Sequence, residues 1–386
     1  MQSAILSLNA GSSSLKFALF ETTGLRRLVK GVVQTIGSES QFHACDGEGN
    51  VLADESLPGS HQDVAETLLA WADRHLGANK IVAAGHRVVH GGQDHSAPEL
   101  VTPALIGALE RLAPLAPLHQ LHDLAPIRAI GAARPQLPQV ACFDTAFHKS
   151  MRPVSARFAL PRDYETDGVM RYGFHGLSYE YIAGKLAEVA PDIAGKKVVV
   201  AHLGNGASLC AIEAGRSVDT SMGMTPLDGL VMGTRCGSLD PGVVLHLLRE
   251  RGMIVDAVED LLYRRSGLLG VSGISSDMGI LLTSTETRAS EAVELFVFRV
   301  VREILALAGT LQGLDALVFT AGIGEHAPEI RRQICEKMAW LGLTLDNDAN
   351  RRSSQRITLP GSRIPAFVIP TDEELMIARH TRQLLP

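Results

Sequence analysis

Two short segments far apart in the chain share one strand–turn–strand pattern. They are residues 5–20, ILSLNAGSSSLKFALF, and residues 198–213, VVVAHLGNGASLCAIE. Each has an apolar run, a tight turn of Gly, Asn and Ser, and a second run. Small residues in such turns let backbone N–H groups approach an anion closely. Two such turns facing each other across a cleft would hold a polyphosphate from both sides, so the repeat predicts a duplicated, two-lobed nucleotide-binding fold.

Length and charge restrict the class of protein and its partners. The 386 residues exceed one ordinary core, so two domains are expected. The net charge of −6 argues against a general nucleic-acid binder, which needs a basic face. No apolar stretch approaches the ~20 residues of a membrane span, and the apolar N-terminal run lacks a basic start and breaks at Asn9, unlike a secretion signal. We expect neither nucleic acid nor a membrane as a partner.

The cysteines indicate the redox compartment. Their number is odd and no two have CxxC spacing; they are Cys45, Cys142, Cys210, Cys236 and Cys335. A zinc knuckle or a disulfide framework is therefore not expected, and a reducing cytoplasm fits the pattern.

Strands alternate with helices in both halves of the chain, which predicts α/β layers. Strands are expected at 81–89, 140–143, 314–320 and 366–370, and helices at 62–75, 177–190, 290–307 and 372–382. Residues 321–325 are expected to form a turn. The pattern restarts near 145–160, so we predict one domain at 1–148 plus 374–386 and a second at 149–373.

The first hairpin turn, NAGSSSLK at 9–16, resembles a phosphate loop but lacks the Gly-Lys-Ser/Thr ending of the P-loop. Taken alone, it fits an ordinary Ser-rich turn equally well. Lys16 lies two residues beyond Ser14 and therefore on the same side of the strand. This position favours Lys16 as a phosphate ligand.

Two predicted strands end in polar residues. Arg87 lies at a strand end just before two glycines, and Asp144 follows an apolar strand. Strand ends line clefts in open α/β sheets, so both are functional candidates, although Asp144 could instead cap a helix. His86 and His90 have the i, i+4 spacing that binds zinc on a helix. The β-branched residues between them indicate a strand, on which the two rings lie too far apart.

Three further motifs carry candidate side chains. His175 in RYGFHG lies among aromatic residues and glycines, where a core histidine is the alternative. Arg235 in MGTRCG occupies a Gly-rich loop, where it would either bind an anion bidentately or remain a solvated surface residue. Gly322 and Gly324 follow a strand, as the edge of a nucleotide site requires, although two glycines alone are a weak signal.

The segment PTDEE at 370–374 opens the last predicted helix. Glu373 and Glu374 are either acidic first-turn residues of a capped helix or carboxylates that hold Mg²⁺ through water. With two phosphate turns, two arginines, a histidine and a strand-end aspartate, they fit phosphoryl transfer, which needs mainly positioning and charge neutralisation.

Ten ordered motifs, spread nearly from end to end, resemble those of the acetate kinase family. They are NAGSSSLK (9–16), GHRVVHGG (85–92), LAPLH (115–119), FDTAFH (143–148), RYGFHG (171–176), HLGNGASL (202–209), DTSMGMTPLDGL (219–230), MGTRCG (232–237), TAGIGE (320–325) and PTDEE (370–374). The resemblance implies a duplicated ribonuclease H-like α/β fold, shared by actin, Hsp70 and sugar kinases, with two domains around a nucleotide cleft. It implies reversible phosphoryl transfer from ATP to acetate, giving acetyl phosphate and ADP, with Mg²⁺ (which Mn²⁺ can replace). It also implies a homodimer joined mainly through the second domain.

The resemblance also implies a role for each matching residue. The catalytic group is Asp144, His175 and Arg235, of which the last two would stabilise the transition state. The substrate group is Arg87 for the carboxylate, with Val89, Leu118, Phe174 and Pro226 around the methyl. The metal ligands are Asn9 and Glu373, with Glu374 as a close rival. The nucleotide-binding residues are Ser12, Ser14, Lys16, His202, Leu203, Gly204, Asn205, Gly206, Asp277, Met278, Gly279, Gly322, Ile323, Gly324, Glu325 and His326.

The chain departs from the family pattern at a few positions. Gly279 stands where the family usually has an Arg that contacts nucleotide, and His326 stands where it usually has Asn. The other departures are Gln120 and Leu121 (usually Asn-Pro), Tyr179 (commonly His) and Ser238 (usually Asp). The catalytic set is intact, so these departures bear on nucleotide affinity.

Two rival functions stay open at the level of the sequence. A non-catalytic, actin-like or chaperone-like ATPase module would share the phosphate hairpins but would have no need for Arg87, Arg235 and an apolar pocket. A kinase for a longer acid such as propionate would share all of them.

Overall fold

The computed structural model describes residues 3–11, 14–34, 40–57, 61–76, 80–116 and 120–385. The strands of this part are β1 (Ser3–Ala10), β2 (Ser14–Glu21), β3 (Arg27–Gln34), β4 (Ser40–Asp46), β5 (Val51–Leu57), β6 (Lys80–Val88), β7 (Glu99–Leu100), β8 (Gln139–Phe143), β9 (Val198–Leu203), β10 (Ala207–Glu213), β11 (Arg216–Thr220), β12 (Ala316–Thr320) and β13 (Ala366–Val368).

The helices alternate with these strands. They are α1 (His61–Leu76), α2 (Pro103–Glu110), α3 (Gln120–Ala133), α4 (Pro153–Ala156), α5 (Arg162–Thr166), α6 (Gly176–Val189), α7 (Pro241–Arg249), α8 (Val255–Arg264), α9 (Gly267–Ser272), α10 (Met278–Thr283), α11 (Thr287–Leu311), α12 (Ala321–His326), α13 (Pro328–Lys337), α14 (Asn347–Arg351) and α15 (Glu373–Gln383). In the part of the chain that the structure describes, no helix is both long and apolar enough to cross a membrane.

The strands form two mixed sheets. The first has the order β5-β4-β3-β2-β1-β6-β8-β7, and the second has the order β11-β10-β9-β12-β13. In the first sheet β1, β6 and β8 run parallel, while β1 pairs antiparallel with β2 and β2 with β3. In the second sheet β9, β12 and β13 run parallel, while β9 pairs antiparallel with β10 and β10 with β11.

The second sheet therefore repeats five neighbouring strands of the first, in the same order and with the same directions. In each repeat, the two strands that come first in the chain, β1 with β2 and β9 with β10, form one of the hairpins recognised in the sequence. The strand after the crossover, β6 or β12, lies parallel to the first strand of that hairpin. This confirms the predicted duplicated α/β fold, which is the ribonuclease H-like arrangement of actin, Hsp70 and sugar kinases.

The chain divides into two compact units. Unit 1 comprises Met1–Ala146, Gly176–Ser178 and Asp372–Pro386, and unit 2 comprises Phe147–His175 and Tyr179–Thr371. Each unit contains one sheet and its own core. In unit 2 every residue of β9 is buried, as expected for a central strand of a sheet that is covered on both faces.

Close packing of α15 on the first sheet brings the end of the chain back to unit 1. This helix packs against β1 and β6. A Cβ atom at Gly85 on β6 would lie 2.6 Å from the side chain of Ile377 and would collide with that of Thr381. Glycine at this position therefore lets the helix approach the sheet. Glu373 and Glu374 lie in the first turn of this helix, so their position depends on this packing.

Most predicted elements are confirmed, with one clear exception. Residues 321–325 were predicted as a turn because of their two glycines, but they belong to helix α12. The helix begins abruptly at Ala321, whose φ of 64° is left-handed. Its N–H donates to Glu325 Oε1 over 2.8 Å. A side-chain contact one turn ahead therefore replaces the expected glycine turn.

Candidate functional site

The two hairpins share one pairing of strands. In each, two antiparallel strands are paired up to the turn, at Ala10 with Leu15 in the first and at Leu203 with Ala207 in the second. The Gly204 N–H donates to the Gly206 carbonyl over 3.1 Å. Of the predicted phosphate ligands in the first turn, Ser12 lies outside the described residues.

Lys16 lies on β2 directly opposite Asn9 on β1. Ser14 and Lys16 are two residues apart on one strand and thus share a face. The Lys16 side chain is exposed, whereas Asn9 is buried. This arrangement leaves the Lys16 ammonium available to an anion at the hairpin.

Asn9 joins the hairpin to the acidic start of α15. Its Nδ2 donates to Glu373 Oε2 over 2.8 Å and to Glu374 Oε1 over 3.2 Å. Burial raises the pKa of both glutamates, and the neighbouring Glu373 charge raises that of Glu374 further. The two carboxylates are thus crowded at one amide, and a cation there would relieve their repulsion.

The oxygen donors around Asn9 fit a hard cation such as Mg²⁺. This ion prefers one or two carboxylates and completes its shell with water and phosphate oxygens. Among the residues described, no group of three or more His, Cys, Asp or Glu side chains could hold a metal ion.

Arg87 and Asp144 meet at the carboxyl ends of two parallel strands. Arg87 lies on β6, and Asp144 directly follows the adjacent β8. The Arg87 Nε and Nη2 atoms donate to Asp144 Oδ2 over 3.0 and 2.6 Å, and Nη1 donates to the Ala10 carbonyl over 3.3 Å. Asp144 is fully buried, and within the described chain its Oδ1 atom has no hydrogen-bond partner. The carboxylate holds the arginine at the first hairpin.

The two histidines near Arg87 are engaged within the protein. His86 is on β6, as predicted, and its Nε2 atom lies 2.8 Å from Gln139 Oε1. Burial lowers the pKa of His86 to about 4. His90 Nδ1 accepts a hydrogen bond from the Gly92 N–H over 2.9 Å. Both rings thus have structural partners. His86 lies on the predicted strand, whereas His90 lies beyond the end of β6.

In unit 2, His175 is fixed by three neighbours. Its Nδ1 atom lies 2.8 Å from Ser208 Oγ, which also lies 2.5 Å from the Tyr179 hydroxyl. Its ring stacks on that of His202, with centroids 4.1 Å apart. Tyr179, where the family commonly has His, thus helps to orient His175 through Ser208.

The second hairpin turn passes directly beneath His175 and Arg235. A Cβ atom at Gly206 would lie 2.6 Å from Arg235 Nη2 and 3.4 Å from His175 Nε2. A side chain at this turn would therefore displace the Arg235 guanidinium. The sequence pattern identified the glycine, but the convergence of these groups is visible only in the fold.

The loop of Arg235 is held mainly through its backbone. The Gly233 N–H donates to the Asn205 carbonyl over 3.0 Å, and the Cys236 N–H donates to the Leu262 carbonyl over 3.1 Å. The Arg235 guanidinium donates through Nη1 to the Pro226 carbonyl over 2.6 Å. The loop is therefore anchored independently of the arginine side chain.

The other predicted nucleotide contacts lie in α10 and α12. Asp277 caps α10 by accepting from the Ile280 N–H over 3.0 Å, Met278 is buried, and Gly279 is exposed. His326 at the end of α12 has an 80% exposed side chain. It is therefore available to a ligand.

Glu325 has a structural role that its motif did not reveal. Its Oε1 atom accepts from the Ala321 and Thr371 N–H groups over 2.8 and 3.2 Å. It thus connects the start of α12 with Thr371, which follows β13. Within the same segment Gly322 and Ile323 are at least partly exposed, whereas Gly324 is buried.

The predicted methyl pocket is only partly described. Val89, Phe174 and Pro226 are buried, and Leu118 lies outside the described residues. Val89 belongs to unit 1, whereas Phe174 and Pro226 belong to unit 2.

Gly279→Arg is expected to lower the KM for ATP by about 3- to 10-fold, since a guanidinium can stack on the base or donate to it. The acetate KM should stay nearly unchanged. A Cβ at this position would lie 3.0 Å from Asp277 Oδ1, so the capping carboxylate must shift slightly. Gly279→Ala is the matched control, because it adds the same crowding without the charge. If steady-state kinetics gave the same KM for ATP in both variants, the expected effect of the arginine would be excluded.

Comparisons with known proteins agree over the whole chain. The model of the Acetokinase family matches residues 4–379. An acetate kinase of Rhodopseudomonas palustris is 53% identical over 396 residues, covering 100% of this chain and 99% of its own. An acetate kinase of Rhizobium meliloti is 47% identical over 395 residues, covering 99% of this chain and 98% of its own.

Solved structures give the same result. A propionate kinase from Francisella tularensis superimposes with a TM-score of 0.92 at 39% identity, covering 99% of this chain and 100% of its own. An acetate kinase from Porphyromonas gingivalis superimposes with a TM-score of 0.87 at 36% identity, covering 100% of both chains. The chain belongs to the acetokinase family.

Proposed function

We propose that this chain transfers the γ-phosphoryl group of ATP reversibly to acetate, giving acetyl phosphate and ADP. ATP is the substrate of its family. The observation that carries the proposal is the convergence of the Arg235 guanidinium and the His175 ring over the glycine of a hairpin turn. A cation and an imidazole at a turn of this type suit the charge of a phosphoryl group in transfer.

The acceptor needs no proton removal. Acetate has a pKa close to that of a Glu side chain and is anionic near neutral pH. Its oxygen attacks the γ-phosphorus in line, and the bond from that phosphorus to the β,γ-bridging oxygen breaks as ADP leaves. In this proposal Arg87 binds the acceptor carboxylate, and Asp144 holds Arg87 in place. His175 and Arg235 neutralise charge on the phosphoryl oxygens.

Magnesium would be held by Asn9 and Glu373, with Glu374 as the rival ligand. When bound, the ion would neutralise phosphate charge and orient the phosphates. Lys16, the 202–206 turn, residues 277–279 and residues 322–326 would bind the nucleotide, together with Ser12 and Ser14. The amide–carboxylate contacts of Asn9 support this assignment, and Mn²⁺ is expected to substitute.

We further propose a homodimer joined mainly through residues 149–373, with no nucleic-acid or membrane partner. A cytoplasmic location suits the five cysteines, all of which are free. Sedimentation analysis measures the oligomeric state directly.

Acetate-dependent ADP formation tests the central proposal. Purified protein with ATP and Mg²⁺ should release ADP only when acetate is present, and acetyl phosphate should form in equal amount. The reverse reaction should form ATP from acetyl phosphate and ADP. ATP hydrolysis that is indifferent to acetate would support the non-catalytic ATPase module instead. A kinetically competent phosphoenzyme would contradict direct transfer.

A propionate kinase is the second candidate, and one observation favours it: the similarity to the propionate kinase structure from Francisella tularensis. One methylene in an apolar pocket is worth about 1–3 kcal/mol, or roughly 10–200-fold. Initial rates with two-, three- and four-carbon acids decide between the candidates.

Val89→Ala is expected to shift the ratio of kcat/KM values toward propionate by about tenfold, because it frees room for one methylene. Val89 is only 2% exposed. Val33→Ala on β3 is the matched control, since it removes the same methyl groups from a buried site in the core of unit 1. It should lower stability but leave the ratio unchanged. An unchanged ratio in Val89→Ala would mean that Val89 does not contact the acyl chain.

A further inference from the structure

The backbone that follows Arg87 leaves the sheet while still buried. Strand β6 ends at Val88, whose partner on β8 is Phe143. The next two residues, Val89 and His90, are 2% and 0% exposed. Their N–H groups lie beyond the hydrogen bonds that pair β6 with β8. Because buried backbone donors need partners, these two groups must be satisfied elsewhere.

Helix α3 supplies these partners with two side chains from its first turn. Asp123 Oδ2 accepts from the Val89 N–H over 2.8 Å. Gln120 Oε1 accepts from the His90 N–H over 3.2 Å, and Gln120 Nε2 donates to the His90 and Leu109 carbonyls, each over 3.1 Å. Both side chains are almost completely buried. A clamp from α3, formed by Asp123 and Gln120, thus holds the strand end beside Arg87.

The clamp also lies in the electrostatic environment of the Arg87–Asp144 pair. Burial raises the pKa of Asp123 to about 8, Arg87 opposes this rise, and the Asp144 charge adds to it. Among the described residues, Asp123 Oδ1 has no hydrogen-bond partner. The contribution visible in the structure is therefore the single acceptor oxygen that faces Val89.

We propose that Asp123 is a positioning residue for the acid substrate. By accepting the Val89 N–H, it fixes the segment that carries the Arg87 guanidinium and the Val89 side chain. Gln120, which stands where the family usually has Asn, holds the next residue of this segment, His90. This inference rests on the proposed function, because it assigns the clamp to the acid that Arg87 and Val89 bind.

Two substitutions at Asp123 separate its acceptor oxygen from its charge. Asp123→Asn keeps an oxygen of the same geometry, and its acetate KM should stay within about threefold of wild type. Asp123→Leu removes the acceptor. It should raise the acetate KM about tenfold or more and change the acetate-to-propionate preference, because a small displacement of substrate-binding groups has large kinetic effects. The KM for ATP should change less than about twofold in both variants.

Gln139→Leu is the matched control. Gln139 is also buried, and it joins the same elements by bonding His86 on β6 and the Ile127 carbonyl on α3. Its loss should lower stability without moving the acetate KM. Thermal unfolding of each variant separates the loss of fold from the loss of positioning.

Several results would overturn the inference. One is a folded Asp123→Leu variant with wild-type acetate KM and acid preference. Another is an equal rise of acetate KM in Asp123→Asn, which would assign the effect to charge. If Asp123→Leu does not fold, the Asn variant still decides, since a tenfold rise of its acetate KM contradicts the proposal. Failure of the proposed function would be visible separately, as wild-type protein without acetate-dependent turnover.

Discussion

Replacing Arg235 with alanine is expected to lower kcat by about 10²–10⁵-fold, with a much smaller change in the acetate KM. Charge on the transferring phosphoryl group is redistributed most strongly in the transition state. In the proposed role, a guanidinium over the Gly206 turn would therefore stabilise that state more than the bound substrates. An effect mainly on kcat identifies an interaction that forms in the transition state.

The structure also indicates that this substitution will leave the loop intact. Backbone hydrogen bonds from Gly233 and Cys236 hold the loop, and the Arg235 side chain donates to the Pro226 carbonyl. Arg265→Ala is the matched control, because it removes an exposed arginine that pairs with Asp260 on α8. Its kcat should equal that of wild type. An Arg235→Ala enzyme within threefold of wild-type kcat would exclude the proposed role.

The repeated hairpins could be predicted from the sequence because their signals are local. Alternating apolar runs and small turn residues determine a hairpin within about 16 residues, and both hairpins have the predicted form. Arg87 and Asp144 could also be predicted as functional candidates, since side chains at the ends of neighbouring parallel strands meet at one edge of a sheet.

Other features depend on particular side-chain contacts and could not be predicted from residue propensities. Helix α12 was missed because Gly322 and Gly324 favour a turn, whereas Glu325 and the buried Arg331 stabilise the helix. Arg331 donates to the carbonyls of Gly324 and Glu325, each over 2.8 Å. A helix end whose carbonyls are satisfied by a side chain cannot be predicted from propensity alone.

The same reason explains which site residues were missed. The contact of Asp123 with Val89 spans 34 residues, and that of Ser208 with His175 spans 33. In the sequence, Asp123 is a single acidic residue with no motif of its own, and Ser208 belongs to a strand. The residues proposed to touch a ligand lie in Gly-rich turns and at strand ends, but the residues that orient them are recognisable only after folding.

Arg87→Ala is expected to reduce kcat/KM for acetate by about 10²–10⁴-fold, through both a higher acetate KM and a lower kcat. The guanidinium would bind the acceptor carboxylate in the ground state and the transferring group in the transition state. Its removal also takes both donors from Asp144 Oδ2 at a position with no exposure. Breaking a buried ion pair by removing one partner costs about 3–5 kcal/mol of stability, so unfolding must be measured beside the kinetics.

Two further variants separate these effects. Arg134→Ala removes an arginine that pairs with Asp73 in a more exposed part of unit 1, and it should leave the acetate kinetics unchanged. Arg87→Ala combined with Asp144→Asn removes the unpaired charge, so it should recover stability without recovering kcat/KM. Because the two residues act as one unit, the double variant should be little slower than Arg87→Ala alone. If Arg87→Ala changed only the KM for ATP, the arginine would belong to the nucleotide site, and the acid would bind elsewhere.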